Sequence, residues 1–215
     1  MAVTCGVPFD LCAVRATALD DVGNPSGSGY VSNNQVSISV TPNIEDGPSF
    51  SVRNGCGCSI FNIKSANAFQ WFDFSFINAT IEPELQAMLL GATLIVDGAD
   101  TVGHHFGSAL ECGEGEPTAA FEFWTKHGTG GGLDGNHPYI HWVFPMTIWQ
   151  LGDNTFQEGP AQPTLTGFSR ANANWGTGPY GDGPPDGSSV LEGAWWKTTD
   201  SLPEGDCASV AVSTA

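Results

Sequence analysis

The stretch that decides the fold covers residues 69–77, where aromatic and polar residues alternate: Phe69-Gln70-Trp71-Phe72-Asp73-Phe74-Ser75-Phe76-Ile77. Successive side chains of an extended strand point to opposite faces of a sheet. Phe72, Phe74 and Phe76 therefore share one face, which we expect in the core, and the opposite face is mixed. The pattern predicts a half-buried β-strand.

Further strands are predicted on both sides of this one. The clearest is Tyr30–Thr41, in which apolar and hydroxyl side chains alternate, and it follows a long turn over residues 20–29. Ser49–Arg53 and Ser59–Lys64 flank a Cys-Gly-Cys bend and are predicted to form a hairpin. The other candidates are Cys12–Leu19, Ala119–Lys126, Tyr139–Leu151, Thr155–Glu158, Thr164–Arg170 and Leu191–Thr198.

One short helix is predicted over residues 82–90. Glu82, Pro83 and Glu84 are favourable at a helix start, and Gly91 is favourable just past its end. Leu85, Met88 and Leu89 form an apolar stripe. A helix this short is marginal alone, so we expect the stripe to pack on a sheet.

The length of 215 residues suits one β-rich domain over residues 1–202, followed by a tail over 203–215. The tail lacks periodicity, and we expect it to be mobile or ordered only by a neighbouring subunit. Loops over residues 128–136 and 175–189 are long for a compact domain, so we expect subunit contacts there.

Acidic residues far outnumber basic ones: 23 Asp and Glu stand against 6 Lys and Arg, which gives a formal net charge of −17. Such a chain repels nucleic acid and acidic surfaces. The N-terminus reads as neither a signal peptide nor a membrane anchor, so we expect synthesis as a soluble cytoplasmic protein.

The six cysteines are Cys5, Cys12, Cys56, Cys58, Cys112 and Cys207. Without a secretory signal we expect buried, reduced thiols. The Cys56-Gly57-Cys58 spacing is tighter than the usual zinc-knuckle pair, which leaves zinc as the minor alternative.

Histidines and carboxylates invite two further hypotheses. His104, His105, His127, His137 and His141 with Glu111, Glu114 and Glu122 could bind a metal ion, but the set contains no HExxH motif, and ordinary histidines explain it better. Paired acids such as Glu82 with Glu84, or Asp97 with Asp100, could hydrolyse glycosides, but such acids more often cap helices or line loops.

Motifs for other chemistry are absent from the sequence as well. There is no GxSxG nucleophile turn, and the glycine loop at residues 128–132 lacks the lysine of a phosphate-binding loop. The seven tryptophans could stack on bases, but proteins that bind single-stranded nucleic acid combine such rings with a basic groove. This chain has too few basic residues to form one. We therefore expect a protein that is not an enzyme, with no catalytic, cofactor-binding or metal site.

Six segments, spread over nearly the whole chain, carry a family resemblance: Val14–Asp20, Val40–Gly47, Val52–Gly57, Pro83–Ala92, His141–Pro145 and Asn174–Tyr180. In these segments the chain resembles the major tail proteins of long-tailed bacteriophages that infect actinobacteria. None of the segments is a catalytic motif.

This resemblance implies a tail-tube subunit of the virion. In that family a β-sandwich joins its inner sheet to those of its neighbours in hexameric rings, and the rings stack into a hollow tube. One helix braces the sheet, and long loops reach other subunits. The implied partners are further copies of the chain and other tail proteins. DNA is expected to pass through the lumen without specific binding, and no membrane is involved.

An acidic wall suits such a conduit, because phosphates bind cations and are repelled by like charge. We expect Ser, Thr, Asp and Glu on the polar faces of Tyr30–Thr41 and Phe69–Ile77 to line the lumen. Two alternatives stay open. One is another virion protein, such as a capsid decoration protein or a connector ring, and the other is a secreted carbohydrate-binding or hydrolytic β-sandwich.

Overall fold

A computed structural model describes residues 6–105, 116–129, 132–154, 162–181, 183 and 193–212. Of these residues, 60% are in strands and 4% in a helix, which confirms the predicted mainly β fold with one short helix. Helix α1 covers Pro83–Leu90. The strands are β1 (Val7–Leu19), β2 (Pro25–Ser32), β3 (Gln35–Glu45), β4 (Ser49–Arg53), β5 (Ser59–Lys64), β6 (Ala68–Asn78), β7 (Thr93–Asp97), β8 (Asp100–His105), β9 (Ala119–Thr129), β10 (Gly132–Leu133), β11 (Tyr139–Leu151), β12 (Thr164–Arg170), β13 (Trp195–Thr199) and β14 (Ala208–Ala211).

Ten strands form one antiparallel sheet, whose main path runs β14-β2-β1-β9-β11-β12-β6-β3. Strand β10 pairs with β9, and β13 pairs with the first part of β11. The strands β4 and β5 form a separate two-stranded ribbon, as do β7 and β8. The predicted hairpin between residues 49 and 64 is therefore confirmed.

The large sheet curls on itself. The rings of Phe76 on β6 and Phe121 on β9 have centroids 5.5 Å apart, although β11 and β12 lie between these strands in the sheet. In a flat sheet, three strand spacings would separate them by about 14 Å. Contacts between β1 and β3 also bring distant parts of the path together. The sheet therefore encloses a barrel-like core.

Aromatic side chains fill that core, as the alternation at residues 69–77 predicted. Phe74 and Phe76 are buried, and Phe72 packs against them half-buried. Phe121 and Trp149 meet the same cluster from β9 and β11. Helix α1 covers part of the core through the fully buried Leu85 and Leu89, so the prediction that its apolar stripe packs on the sheet is confirmed.

The strand predicted over Tyr30–Thr41 is in fact two strands. The Ser32 hydroxyl accepts a hydrogen bond from the Asn34 N–H at 3.1 Å, and the chain turns at this point. Strand β2 then pairs with β1, whereas β3 pairs with β6 at the far end of the sheet. Periodicity alone carried no sign of this change of partner.

The turn predicted over residues 20–29 is shorter than expected. Asp20 closes it by accepting hydrogen bonds from the Val22 and Asn24 N–H groups at 3.0 and 2.8 Å. From Pro25 onward the chain is already strand β2. The glycines of this segment were interpreted as turn residues, but they lie in a strand. Gly29 is small because Tyr180 packs against it: a Cβ on Gly29 would lie 2.0 Å from the Tyr180 hydroxyl.

The C-terminal segment also differs from the expectation. Ala208–Ala211 forms β14 and pairs with β2 of the same chain, from Ala208 opposite Val31 to Ala211 opposite Ser28. This strand is held by its backbone hydrogen bonds to β2. Its side chains are small, so the sequence carried no periodic signal for it. Residues 213–215 lie outside the described residues.

Several predicted segments are only partly covered by the described residues. The strand predicted at Thr155–Glu158 lies wholly outside them, and the one at Leu191–Thr198 is described from residue 193, with β13 beginning at Trp195. The loop over residues 128–136 contains the end of β9 and the short β10. The loop over residues 175–189 is described at 175–181 and 183.

Candidate assembly surfaces

The β4–β5 ribbon, residues Ser49–Lys64, has an unpartnered apolar face. Its register places Phe50 opposite Ile63 and Val52 opposite Phe61, so these four side chains share one face. Each of the four is between 50% and 60% exposed. A two-stranded hairpin is marginally stable alone in water. An exposed apolar face on such a ribbon marks a surface for contact with another molecule.

The same ribbon differs from the rest of the chain in charge. It contains Arg53 and Lys64 but no Asp or Glu. Since the whole chain has 6 basic and 23 acidic residues, the rest of it carries a formal charge of −19. Lys64 pairs with Asp46 at 3.1 Å, but both side chains are largely exposed, so this ion pair contributes little. The ribbon is thus a basic, apolar extension of an acidic protein.

The ribbon turns at the Cys-Gly-Cys bend. The Asn54 side-chain oxygen accepts hydrogen bonds from the N–H groups of Cys56 and Cys58 at 3.1 and 2.9 Å. Both thiols are exposed, as is Cys207, and Cys12 is half-buried. The expectation of buried thiols is therefore wrong for Cys56, Cys58 and Cys207. Cys56 and Cys58 are exposed because the bend lies at the tip of an extended ribbon. Cys5 and Cys112 lie outside the described residues.

A second ribbon, β7–β8, projects beside helix α1. Leu94, Ile95, Val96 and Val102 are all exposed on it. It is anchored where the Thr101 hydroxyl donates a hydrogen bond to Glu84 at 3.2 Å. The sequence analysis did not identify this ribbon, although an apolar run followed by an Asp-Gly turn is a hairpin signal.

The large sheet ends in two edge strands, β3 and β14. Strand β3 is eleven residues long and pairs with β6 along one side. No ladder covers its other side within the described part of the chain. Free edges of this length offer backbone donors and acceptors to a strand of another molecule.

The predicted polar faces of β3 and β6 lie together on the outside of the barrel. Ser39 stands opposite Ser75, and Thr41 stands opposite Asp73. Strand β12 continues the surface, with Thr166 opposite Ser75. The result is a hydroxyl-rich face across three strands.

Two features of this face differ from the expectation that its polar and acidic side chains line a lumen. Ser32, within the predicted segment, is fully buried and donates its hydroxyl to Glu82 at 2.8 Å, so it cannot line a channel. Asp73 is the only acid within Tyr30–Thr41 and Phe69–Ile77. It accepts hydrogen bonds from Asn43 and Trp71. The two predicted segments therefore supply one carboxylate per copy and are otherwise uncharged.

A buried charge cluster lies on the outer face of β1, β9 and β11. Arg15 stands opposite Glu122 in the ladder and binds it with two hydrogen bonds, of 2.6 and 2.9 Å. His141 Nε2 lies 3.1 Å from Oε1 of the same carboxylate, the oxygen that also accepts the hydrogen bond from Arg15 Nη2. All three residues are at most 4% exposed. Tyr180 lies over the guanidinium at 3.7 Å, and the Trp124 ring stacks on His141 at 4.1 Å.

The electrostatics of this cluster keep Glu122 ionised. Burial by itself raises the pKa of the carboxyl, but the Arg15 charge and the hydrogen bonds from His141 and Arg15 outweigh burial and lower the pKa to about 2. Both carboxylate oxygens are engaged, and an acid this strong is a poor general base near neutral pH. The cluster ties three strands together and holds Tyr180 against them.

Sequence reasoning missed this cluster, because Glu122 entered only as one of several possible metal ligands. A better signal was available: a charged residue within Phe121-Glu122-Phe123-Trp124 is surrounded by strand aromatics and needs a buried partner. Arg15, in the middle of β1, is that partner.

The other proposed ligands do not gather into a site. His104 and His105 lie on β8, and His127 Nδ1 faces the His137 carbonyl at 3.0 Å. Across the described ranges, no group of three or more His, Cys, Asp or Glu side chains could hold a metal ion. Glu111 and Glu114 lie outside those ranges.

The paired carboxylates have structural contacts. Glu82 is buried and accepts the Ser32 hydroxyl, while Glu84 accepts hydrogen bonds from Thr101 and Ser209. Asp97 and Asp100 stand opposite each other at the end of the β7–β8 ribbon.

Compared with known proteins, the chain matches no protein-family model and no curated sequence. In the part of the chain that the structure describes, no helix is long and apolar enough to cross a membrane.

Proposed function

We propose that the chain is a structural subunit that assembles with copies of itself into stacked hexameric rings and so forms the tail tube of a long-tailed phage. The observation that carries the self-assembly is the apolar face of the β4–β5 ribbon, with Phe50, Val52, Phe61 and Ile63 all half exposed. Burying such a face in a neighbour removes several apolar side chains from water at about 25 cal/mol per Å².

The edges of the sheet support assembly in a second way. An eleven-residue edge strand such as β3 exposes backbone groups that a neighbouring copy can pair. Pairing through edges would extend the sheet from one copy to the next. This matches the joined sheets that the family resemblance implies.

The negative charge of the chain supports the proposal that it forms a conduit for DNA. The net charge of −17 repels DNA phosphates, so a duplex can slide past the wall without being held. The hydroxyl-rich face of β3, β6 and β12 is the wall that we propose, because Ser39, Thr41, Ser75 and Thr166 are neutral and Asp73 is acidic. The cation at the end of β12, Arg170, is paired with Glu116 at 3.4 Å. The virion tail is accordingly the proposed location.

Negative-stain microscopy of the purified protein over a range of concentrations tests the proposal. We expect rings and hollow tubes as concentration rises. A variant with Ser49–Lys64 replaced by a short Gly-Ser linker is expected to remain folded, by circular dichroism, but to form no tubes. Trimers alone would favour a capsid decoration protein, and a monomer at every concentration would refute self-assembly.

A further inference from the structure

An apolar cleft of about 430 Å³ opens into the barrel, lined by residues of six strands, including Ile38, Val40, Phe72, Phe123, Trp142 and Trp196. Its walls are a run of aromatic rings. Trp142 stacks on Phe123 with centroids 5.7 Å apart, and Trp196 lies 5.9 Å from Trp142. Trp196 is 59% exposed at the rim. Among the described residues the cleft stays open, and exposed apolar surface of this kind is typical of an interaction site.

The cleft and the β4–β5 ribbon lie at the same end of the barrel. Glu45 pairs with Ala68 where β3 and β6 lead into the ribbon, and the cleft residue Phe72 pairs with Pro42 only a few positions away. Helix α1 follows the opposite end of β6, beyond Asn78. None of the described lining residues of the cleft comes from the ribbon itself, so the ribbon does not fill the cleft of its own copy.

We propose that the cleft is the socket for the apolar face of the β4–β5 ribbon of a second copy, an inference that rests on the proposed self-assembly. Both surfaces are apolar and lie open among the described residues, and the convex face of the ribbon complements the concave cleft. The ribbon offers Phe50, Val52, Phe61 and Ile63 on one face, and the cleft offers an aromatic-lined concavity.

Charge favours a copy of this chain as the occupant. The ribbon carries two cations and no acid, and the remainder of the chain has a formal charge of −19. Docking therefore brings opposite charges together, which increases the rate and selectivity of association. A ribbon bearing the acidic excess of the rest of the chain would instead be repelled.

The lysines nearest the cleft do not oppose this docking. Lys126 and Lys197 follow the cleft residues Thr125 and Trp196, so strand alternation directs them to the outer face of the sheet. There, Lys126 pairs with Asp10 at 2.9 Å, and Lys197 donates a hydrogen bond to the Gly183 carbonyl at 3.0 Å.

The contact joins two different surfaces of the same chain. Each copy gives one ribbon and receives one, and such heterologous contacts close into rings or extend into helical filaments. Neighbouring copies would thus hold one another through the ribbon and the cleft as well as through the pairing of sheet edges.

A photocrosslinking experiment tests the docking directly. A benzophenone amino acid replaces Phe61, and the protein is assembled from equal amounts of ¹⁴N- and ¹⁵N-labelled chains before irradiation. We expect crosslinks from the ribbon of one isotope to the peptide containing Trp142 or Trp196 of the other. Crosslinks within one copy, crosslinks to another ribbon, or assembled particles without crosslinks would each overturn the docking while leaving the tubes intact.

Two charge variants supply a matched comparison. Phe61→Asp places a carboxylate on the apolar face, and Asn62→Asp places the same charge on the opposite face at the next residue. We expect Phe61→Asp, and likewise Trp196→Asp at the rim, to raise the concentration needed for half-maximal assembly by about tenfold or more, with Asn62→Asp changing it far less. Equal effects of all three would overturn the docking, and a wild-type protein that never assembles would overturn the proposed function as well.

Discussion

The buried Arg15–Glu122–His141 cluster and the β4–β5 ribbon are two extremes of the same molecule. The cluster buries its charges almost fully and satisfies them within the chain, with both Glu122 oxygens engaged. The ribbon instead leaves its largest apolar side chains half exposed. The barrel is thus stabilised by contacts inside one copy, whereas the ribbon, under the proposed assembly, would be stabilised by contacts with another copy. The following predictions measure that difference.

The largest effect is expected from matched phenylalanine truncations. Phe121→Ala removes a fully buried ring from the core and should lower the free energy of unfolding by about 3–5 kcal/mol. Phe61→Ala on the ribbon should change it by less than about 0.5 kcal/mol in the monomer. Urea denaturation at low protein concentration measures both. A comparable loss for both variants would mean that the ribbon belongs to the folded core.

The charge cluster should make stability depend on pH. The pKa of Glu122 is lowered from 4.5 to about 2 in the folded state. Its contribution is therefore fully present above about pH 4.5 and is lost as the pH falls towards 2, by an amount on the order of 3 kcal/mol. Urea midpoints between pH 2 and 6 should show this slope in the wild type and a shallower one in Glu122→Gln.

At pH 7 the same variant should lose stability, because removing the carboxylate charge leaves buried Arg15 uncompensated. Glu116→Gln is the control, since Glu116 forms a largely exposed ion pair with Arg170 at 3.4 Å. That control should change the free energy of unfolding by less than about 1 kcal/mol. If the two variants proved equally mild, the cluster would not be tying the strands together.

A smaller effect is expected from two glycine substitutions. A Cβ at Gly29 would lie 2.0 Å from the Tyr180 hydroxyl, so Gly29→Ala must displace Tyr180 from the Arg15 cluster. The expected cost is about 1–3 kcal/mol. Gly55, in the ribbon bend, has no atom within 4 Å of its Cβ position, and Gly55→Ala should be nearly neutral. Thermal unfolding followed by circular dichroism compares the two.

The smallest effect is expected for the ion pair at the base of the ribbon. Lys64→Gln removes the contact with Asp46, in which both side chains are largely exposed. We expect the free energy of unfolding to change by less than about 0.5 kcal/mol, since exposed pairs are screened by water and salt. A loss of 2 kcal/mol or more in urea denaturation would show that the ribbon is held firmly to its own barrel.

Much of the local structure could be predicted from the sequence. Period-two alternation identified β6, strand-like segments between turn residues identified β9, β11 and β12, and acids, proline and glycine marked both ends of α1. Those signals depend only on residues close together in the sequence, so they can be recognised without knowing which strands pair. Strand β14 and the division between β2 and β3 could not be predicted, because the backbone ladders that define them join residues distant in the sequence.

For the same reason, only part of each candidate assembly surface could be predicted from the sequence. Two short strand candidates flanking Cys56-Gly57-Cys58 indicated a hairpin. They could not show that its apolar face would be exposed, because that depends on where the barrel lies. The sequence also indicated the polar faces of two segments, but only the pairing of β3 with β6 joined them into one surface.

The sequence by itself determined the strand pattern, the single predicted helix and the acidic charge, because each follows from residue types and their spacing along the chain. Only the tertiary structure decided which charges are buried, which apolar faces lie open, and that a ribbon and a cleft share one end of the barrel. Those properties arise from contacts between residues as far apart as Arg15 and Glu122. They exist only once the sheet has curled.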